Sequence, residues 1–172
     1  MASLMENLIE VLGQEGDEYE GLLALSQKKM RIIASANLED LQRITEDEQE
    51  VVGRLSRLEK KRMEVTADIA NVLNKDVATM KLSNLIEMMA ARPQEQAQLA
   101  EIHDRLKSVV REVQRTNEQN KELLEEALEM VEFEMNMLQA TKAAPEMANY
   151  TRDAYSSGAQ MGVTSGSFDA KQ

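Results

Sequence analysis

Apolar residues recur along this chain at intervals of three and four over stretches much longer than an ordinary globular helix. That spacing lines one face of an α-helix and is incompatible with a strand, whose side chains alternate with a period of two. Leu38, Leu41, Ile44, Val51, Leu55, Leu58, Val65, Ile69 and Val72 make one such stripe. Leu99, Ile102, Leu106, Val109 and Val113 make another. The supply of residues agrees: aromatics are 3% of the 172, with seven Gly and two Pro, while the good helix formers Ala, Leu, Glu, Gln, Lys and Met dominate. The fold class is all-α. An antiparallel helical hairpin, a short middle helix and a long C-terminal helix are expected to form an elongated bundle or coiled coil with a disordered tail.

Four helices are expected, at about 4–34, 38–73, 80–90 and 93–141. The first carries Leu4, Leu8, Val11, Leu12, Tyr19, Leu22, Leu23, Met30 and Ile33, with a thin patch at Gly13 and Gly16. Each glycine costs about 1 kcal/mol relative to Ala inside a helix, so the pair reads as a weak or bent turn. Asn37, with Asp40 three residues on, has the pattern of an N-cap. Only a tight turn fits between Ile33 and Leu38, so the second helix folds back on the first. In the less regular stretch from Asn74 to Arg92, Thr79 or Ser83 is a candidate cap for a short helix bearing Leu82, Leu85, Ile86, Met88 and Met89. Arg92-Pro93 is the sharpest boundary, because proline suits the first helical position and drives its predecessor out of the α region.

The last long helix holds Asn117 and Asn120 where apolar residues should recur. Buried, they would cost stability and fix register. Exposed, they would end the bundle, and this is favoured because a pair one turn apart is costly to bury. The domain division expected is a helical bundle over 1–144 and a flexible Ser/Gly-rich tail over 145–172, which lacks periodicity. Tyr150, Tyr155, Met161 and Phe168 stand in that tail as anchors.

Chemistry finds little footing. The formal net charge is -11, which disfavours nucleic acid and anionic membrane. With no cysteine there is neither a thiolate nucleophile nor a thiolate metal site. No basic residue precedes Lys28 to make a secretory signal, and no run approaches 18 apolar residues, so a cytoplasmic, membrane-free protein is expected. His103 is the single histidine and reads as a surface residue of a charged helix. Phosphate-binding glycine loops, nucleophile elbows and calcium loops are all missing. The basic run RLSRLEKKR reads as a solvated face or as interhelical ion pairs. No enzyme activity, cofactor or metal is expected.

What does stand out is an apolar surplus in the last helix: Leu123, Leu124, Leu128, Met130, Val131, Phe133, Met135, Met137 and Leu138. At 100° per residue these do not fit one stripe. Homo-oligomerisation would cover them, as would docking of the middle segment with Met88 and Met89. A groove for another protein's amphipathic helix would do so too, and methionines suit a surface that re-packs.

The layout resembles the bacterial flagellar export chaperones of the FlgN type. The similarity rests on LIEVLGQEGDEYEGLLALSQKKMRII in the first arm, NLEDLQRITEDEQEVVGRLSRLEKKR in the return arm, NEQNKELLEEAL in the final helix, and NYTRDAYSSG and SFDAKQ in the tail. That resemblance implies a cytoplasmic chaperone without enzyme activity. It would bind the C-terminal helices of hook-associated (hook-filament junction) proteins, keep them from assembling early and deliver them to the flagellar type III export apparatus. The implied client-binding residues are Asn117, Asn120, Leu123, Leu124, Leu128, Val131, Phe133, Met135 and Leu138. Tyr150, Tyr155 and Phe168 would touch the client or the export gate, or fold over the empty groove. A free-state homodimer stays open. The rival reading is a homo-oligomeric coiled-coil protein, structural or regulatory, with no export client.

Overall fold

The computed structural model describes residues 2–143. The stretch 145–172, read from sequence as a tail, lies outside the described residues, together with Tyr150, Tyr155 and Phe168. Four helices follow in order: α1 (Ala2–Ala34), α2 (Leu38–Val72), α3 (Leu82–Met88) and α4 (Pro93–Ala143). Short 3₁₀ turns at Val77–Thr79 and Met89–Ala91 flank α3. The fold is all-α, and among the described residues there is no strand. The chain divides into two units, Met1–Ala127 and Leu128–Gln172.

In the first unit, α1 and α2 form the expected antiparallel hairpin. Residue 36 supports the tight reversal by adopting a left-handed backbone, Ala36 having φ 53. Asn37 then caps α2 as its spacing anticipates. Its Oδ1 accepts the Asp40 amide at 3.1 Å, and its Nδ2 donates to the Asp40 carboxylate at 2.8 Å. At the far end of α2, Asn74 takes the left-handed conformation, with φ 53. There the Lys75 amide reaches back to the Ala70 carbonyl and the Asn74 amide to that of Asn71, the double closure of a Schellman turn.

Ion pairs show how the helices run. Lys29 meets Glu48, Arg54 meets Glu18 and Arg62 meets Glu15, so partners rise on one helix as they fall on the other. Those two arginines use the basic run 54–62 for interhelical pairing. Contacts between α1 and α4 are instead separated by 85 to 94 residues throughout, which makes α4 parallel to α1. The three helices thus form an up-down-up bundle.

Its larger apolar cluster joins Met5, Leu8 and Leu12 of α1, Val65 and Ile69 of α2, Leu85 and Met89 of the middle segment, and Leu99 of α4. A second cluster joins Leu22, Val51, Leu55 and Val113. The middle segment, too short to persist alone, is held by Leu85 and Met89 and by the Gln96 side chain, which donates to the Ile86 carbonyl at 2.9 Å.

Met89 of the middle segment is buried with Met5, Leu8 and Leu99. Two sequence expectations are corrected here. Neither Thr79 nor Ser83 occupies the cap of α3. Lys81 does, without a side-chain bond, while Asp76 caps the preceding 3₁₀ turn through the Ala78 amide. The Gly13–Gly16 patch does not interrupt α1, which is helical throughout. A Cβ at Gly16 would stand 3.2 Å from Nη1 of Arg105. Arg105 in turn donates to Asp17 at 2.7 Å and Glu20 at 2.8 Å. The glycine admits a guanidinium from α4.

Candidate docking surface

Among the described residues, no group of three or more His, Cys, Asp or Glu side chains converges as a metal site. His103 stands half-exposed, with Nδ1 3.2 Å from its neighbour Asp104. One acid is unusual: Glu15 is buried, and burial pushes its carboxyl pKa up while the hydrogen bond from Arg62 opposes the shift. It sits in a groove with Tyr19, whose phenol is also raised, by burial first and by the Glu15 charge second. A buried acid that accepts a 2.9 Å hydrogen bond from an arginine of the neighbouring helix is an ion pair of the fold.

The end of the bundle where α1 and α2 turn is organised by a polar layer. Ser26 is fully buried on α1. Its hydroxyl lies 3.3 Å from Oε1 of Glu48 and 3.1 Å from Oδ1 of Asn117. Lys29 closes the other Glu48 oxygen at 2.7 Å. Asn120 donates through Nδ2 to the Ser26 carbonyl at 2.8 Å, leaving its own Oδ1 buried without a partner. Ser26 has a single proton for two acceptors. Turning the Asn117 amide end for end would let it donate to Ser26 Oγ and free that proton for Glu48.

This layer overturns the expectation that the two asparagines end an exposed seam. Asn120 is 4% exposed. The cost of burying it is reduced because the Ser26 carbonyl, one helix away, receives its amide. Only Asn117 is exposed as a residue, and its amide oxygen still faces Ser26. Parallel helices rise equally per residue, so at the observed offset Ala34, the last residue of α1, is level with roughly residue 125 of α4. Leu123 and Leu124, the last leucines of the unit, are accordingly half-buried.

The second unit is different. Leu128 is 64% exposed, Val131 51%, Phe133 61%, Met135 54% and Leu138 62%. All five were expected at a binding surface, and all five lie on helical, solvent-facing backbone. Met130 and Met137, which the resemblance did not map, are equally open. Their signal was present in the sequence as the surplus that no single stripe could hold. Scattered exposed apolar residues need no explanation, but seven within eleven positions of one helix are a concentration that calls for one.

Comparison with known proteins adds one finding. A family model described as "FlgN protein" matches residues 1–158. No curated protein and no solved structure matches the chain.

Proposed function

We propose, from the premise that the chain belongs to the FlgN family of flagellar export chaperones, that it acts in the cytoplasm on the C-terminal helical segments of hook-associated proteins. In this reading it holds them unassembled and hands them to the type III export apparatus. The observation that carries the reading is the exposed apolar face of α4 from Leu128 to Leu138. Single exposed apolar residues such as Leu38 and Met63 on α2 need no partner, but seven within eleven positions, each more than half exposed, form a concentration that a partner would bury. Amphipathic client segments laid along this surface would remove it from water, and each large side chain so buried is worth about 1.5–3 kcal/mol before the cost of ordering the client.

Leu128, Val131, Phe133, Met135 and Leu138 form the proposed contact, with Leu123 and Leu124 at its margin. Asn120 touches a client only if it leaves the Ser26 carbonyl, so its resting role is in the bundle, whereas Asn117 faces Ser26 with its amide oxygen and is otherwise exposed. Binding of this kind uses shape and apolar area and needs no nucleotide. No helix among the described residues is long and apolar enough to cross a membrane, which is compatible with a cytoplasmic site of action.

The test is capture from cells that are building flagella, with a tagged full-length chain as bait and mass spectrometry as readout. The proposal expects a hook-associated protein in the bound fraction, lost when residues 120–172 are removed. Recovery of this chain alone would favour the homo-oligomeric coiled-coil protein.

A further inference from the structure

The surplus on α4 resolves into two stripes. Leu124, Leu128, Val131, Met135 and Leu138 follow one another at alternating intervals of four and three, the spacing of a coiled-coil seam. Met130, Phe133 and Met137 form a second row with intervals of three and four. At 100° per residue the two rows are centred roughly 150° apart around the helix. Glu134 lies between them, and Glu125, Glu129 and Glu132 fill the sector opposite.

The rows differ in origin. Traced back in steps of three and four, the first row joins Asn120, Thr116, Val113 and Val109, all buried in the bundle. It prolongs the face that α4 turns to α1 and α2. The second row traces back through Glu126 and the half-buried Leu123 to Gln119, Arg115 and Glu112; all of these but Leu123 are exposed and polar. That face is solvent-facing for most of α4, with Leu123 as its one apolar residue in this trace before Met130. A helix designed to continue a bundle needs the first row alone.

Charge narrows the occupant. Between Lys121 and Lys142 the helix has six glutamates and no lysine or arginine. Glu132 and Glu134 flank the first row, and Glu129 and Glu134 flank the second. Self-pairing along either row would set these carboxylates against their own copies, which is unfavourable. Lysine or arginine beside a partner's apolar seam would meet them well.

Building on the chaperone reading, we infer that the Leu128–Leu138 segment receives two amphipathic helices of one client, one on each row, each carrying basic residues beside its apolar seam. A single helix covers a stripe about 100° wide and would leave the other row in water. Two helices enclose α4 from both sides and leave only the Glu125–Glu129–Glu132 sector to solvent.

The experiment places a photo-crosslinking phenylalanine analogue at Val131 or at Phe133 in the full-length chain, in cells building flagella, and sequences the crosslinked peptides. The inference expects both positions to capture the same hook-associated protein, through two different helical segments. Capture from Val131 only, or of one shared segment from both, overturns the two-helix arrangement and leaves the chaperone reading standing. Capture of this chain, whether a second copy or its own residues 144–172, overturns the assignment of the client to these rows. No flagellar protein at either position overturns both proposals. As an independent readout, Phe133→Asp with Met137→Asp should lower affinity for the purified client at least tenfold with helix content unchanged; unchanged affinity contradicts the second row.

Discussion

At the scale of single residues, the chain holds two local departures from ideal design, each with a measurable consequence. Ala36 sits in the left-handed region, where an L side chain costs roughly 1–2 kcal/mol and glycine nothing. Ala36→Gly should therefore raise stability by about 1 kcal/mol in denaturant unfolding, net of the entropy glycine adds to the unfolded chain. A fall would show that the turn is not as described. Glu15 is the second case. Its folded pKa is raised, chiefly by burial, so above that value a charged carboxylate is held where it is poorly solvated. As pH falls through the raised value toward 4.5, the folded chain takes up the proton first and gains stability. Glu15→Gln, which can still accept from Arg62, should be the more stable protein at neutral pH. Its advantage should disappear on approaching pH 4.5, as followed by melting temperature against pH.

At the scale of elements, what was legible in sequence was local. The periodicity of Leu38 to Val72, the Asn37 cap and the Pro93 start depend on residues within a turn or two of one another, and each appears in the structure. What was not legible depends on residues far apart in the chain. Gly16 has its reason in Arg105, and the burial of Asn120 has its reason in the Ser26 carbonyl, 94 positions away. No reading of α1 or α4 alone contains either pairing. The polar layer also makes a prediction. Asn120 leaves one buried oxygen unpartnered, which costs about 1–3 kcal/mol, and the Ser26 carbonyl it serves lies within a helix. Asn120→Leu should then stabilise the bundle by about 1 kcal/mol, whereas Asn120→Ala, which leaves a void, should destabilise it. If leucine also destabilises, the layer contributes stability as well as alignment.

At the scale of the whole molecule, the separation of roles is chemical. The bundle buries its apolar stripes against one another and satisfies the charges between helices with Lys29–Glu48, Arg54–Glu18 and Arg62–Glu15. The last part of α4 keeps its apolar residues in solvent beside a series of glutamates, in a chain whose net charge is -11. That surplus was readable from the sequence. Its division between buried Asn120, half-buried Leu124 and exposed Leu128 required the register of α4 on α1, which composition and periodicity do not contain.

The central claim is that this exposed face is what a client binds. The direct measurement is a calorimetric titration of the purified chain with the C-terminal helical segment of a hook-associated protein. Wild type would be compared with a Val131→Asp, Leu138→Asp variant whose helix content by circular dichroism matches it. The account predicts saturable binding by wild type, with a negative heat-capacity change from apolar burial, and at least a hundredfold weaker binding by the variant. Equal affinity of the two proteins, with the fold intact in both, would contradict it.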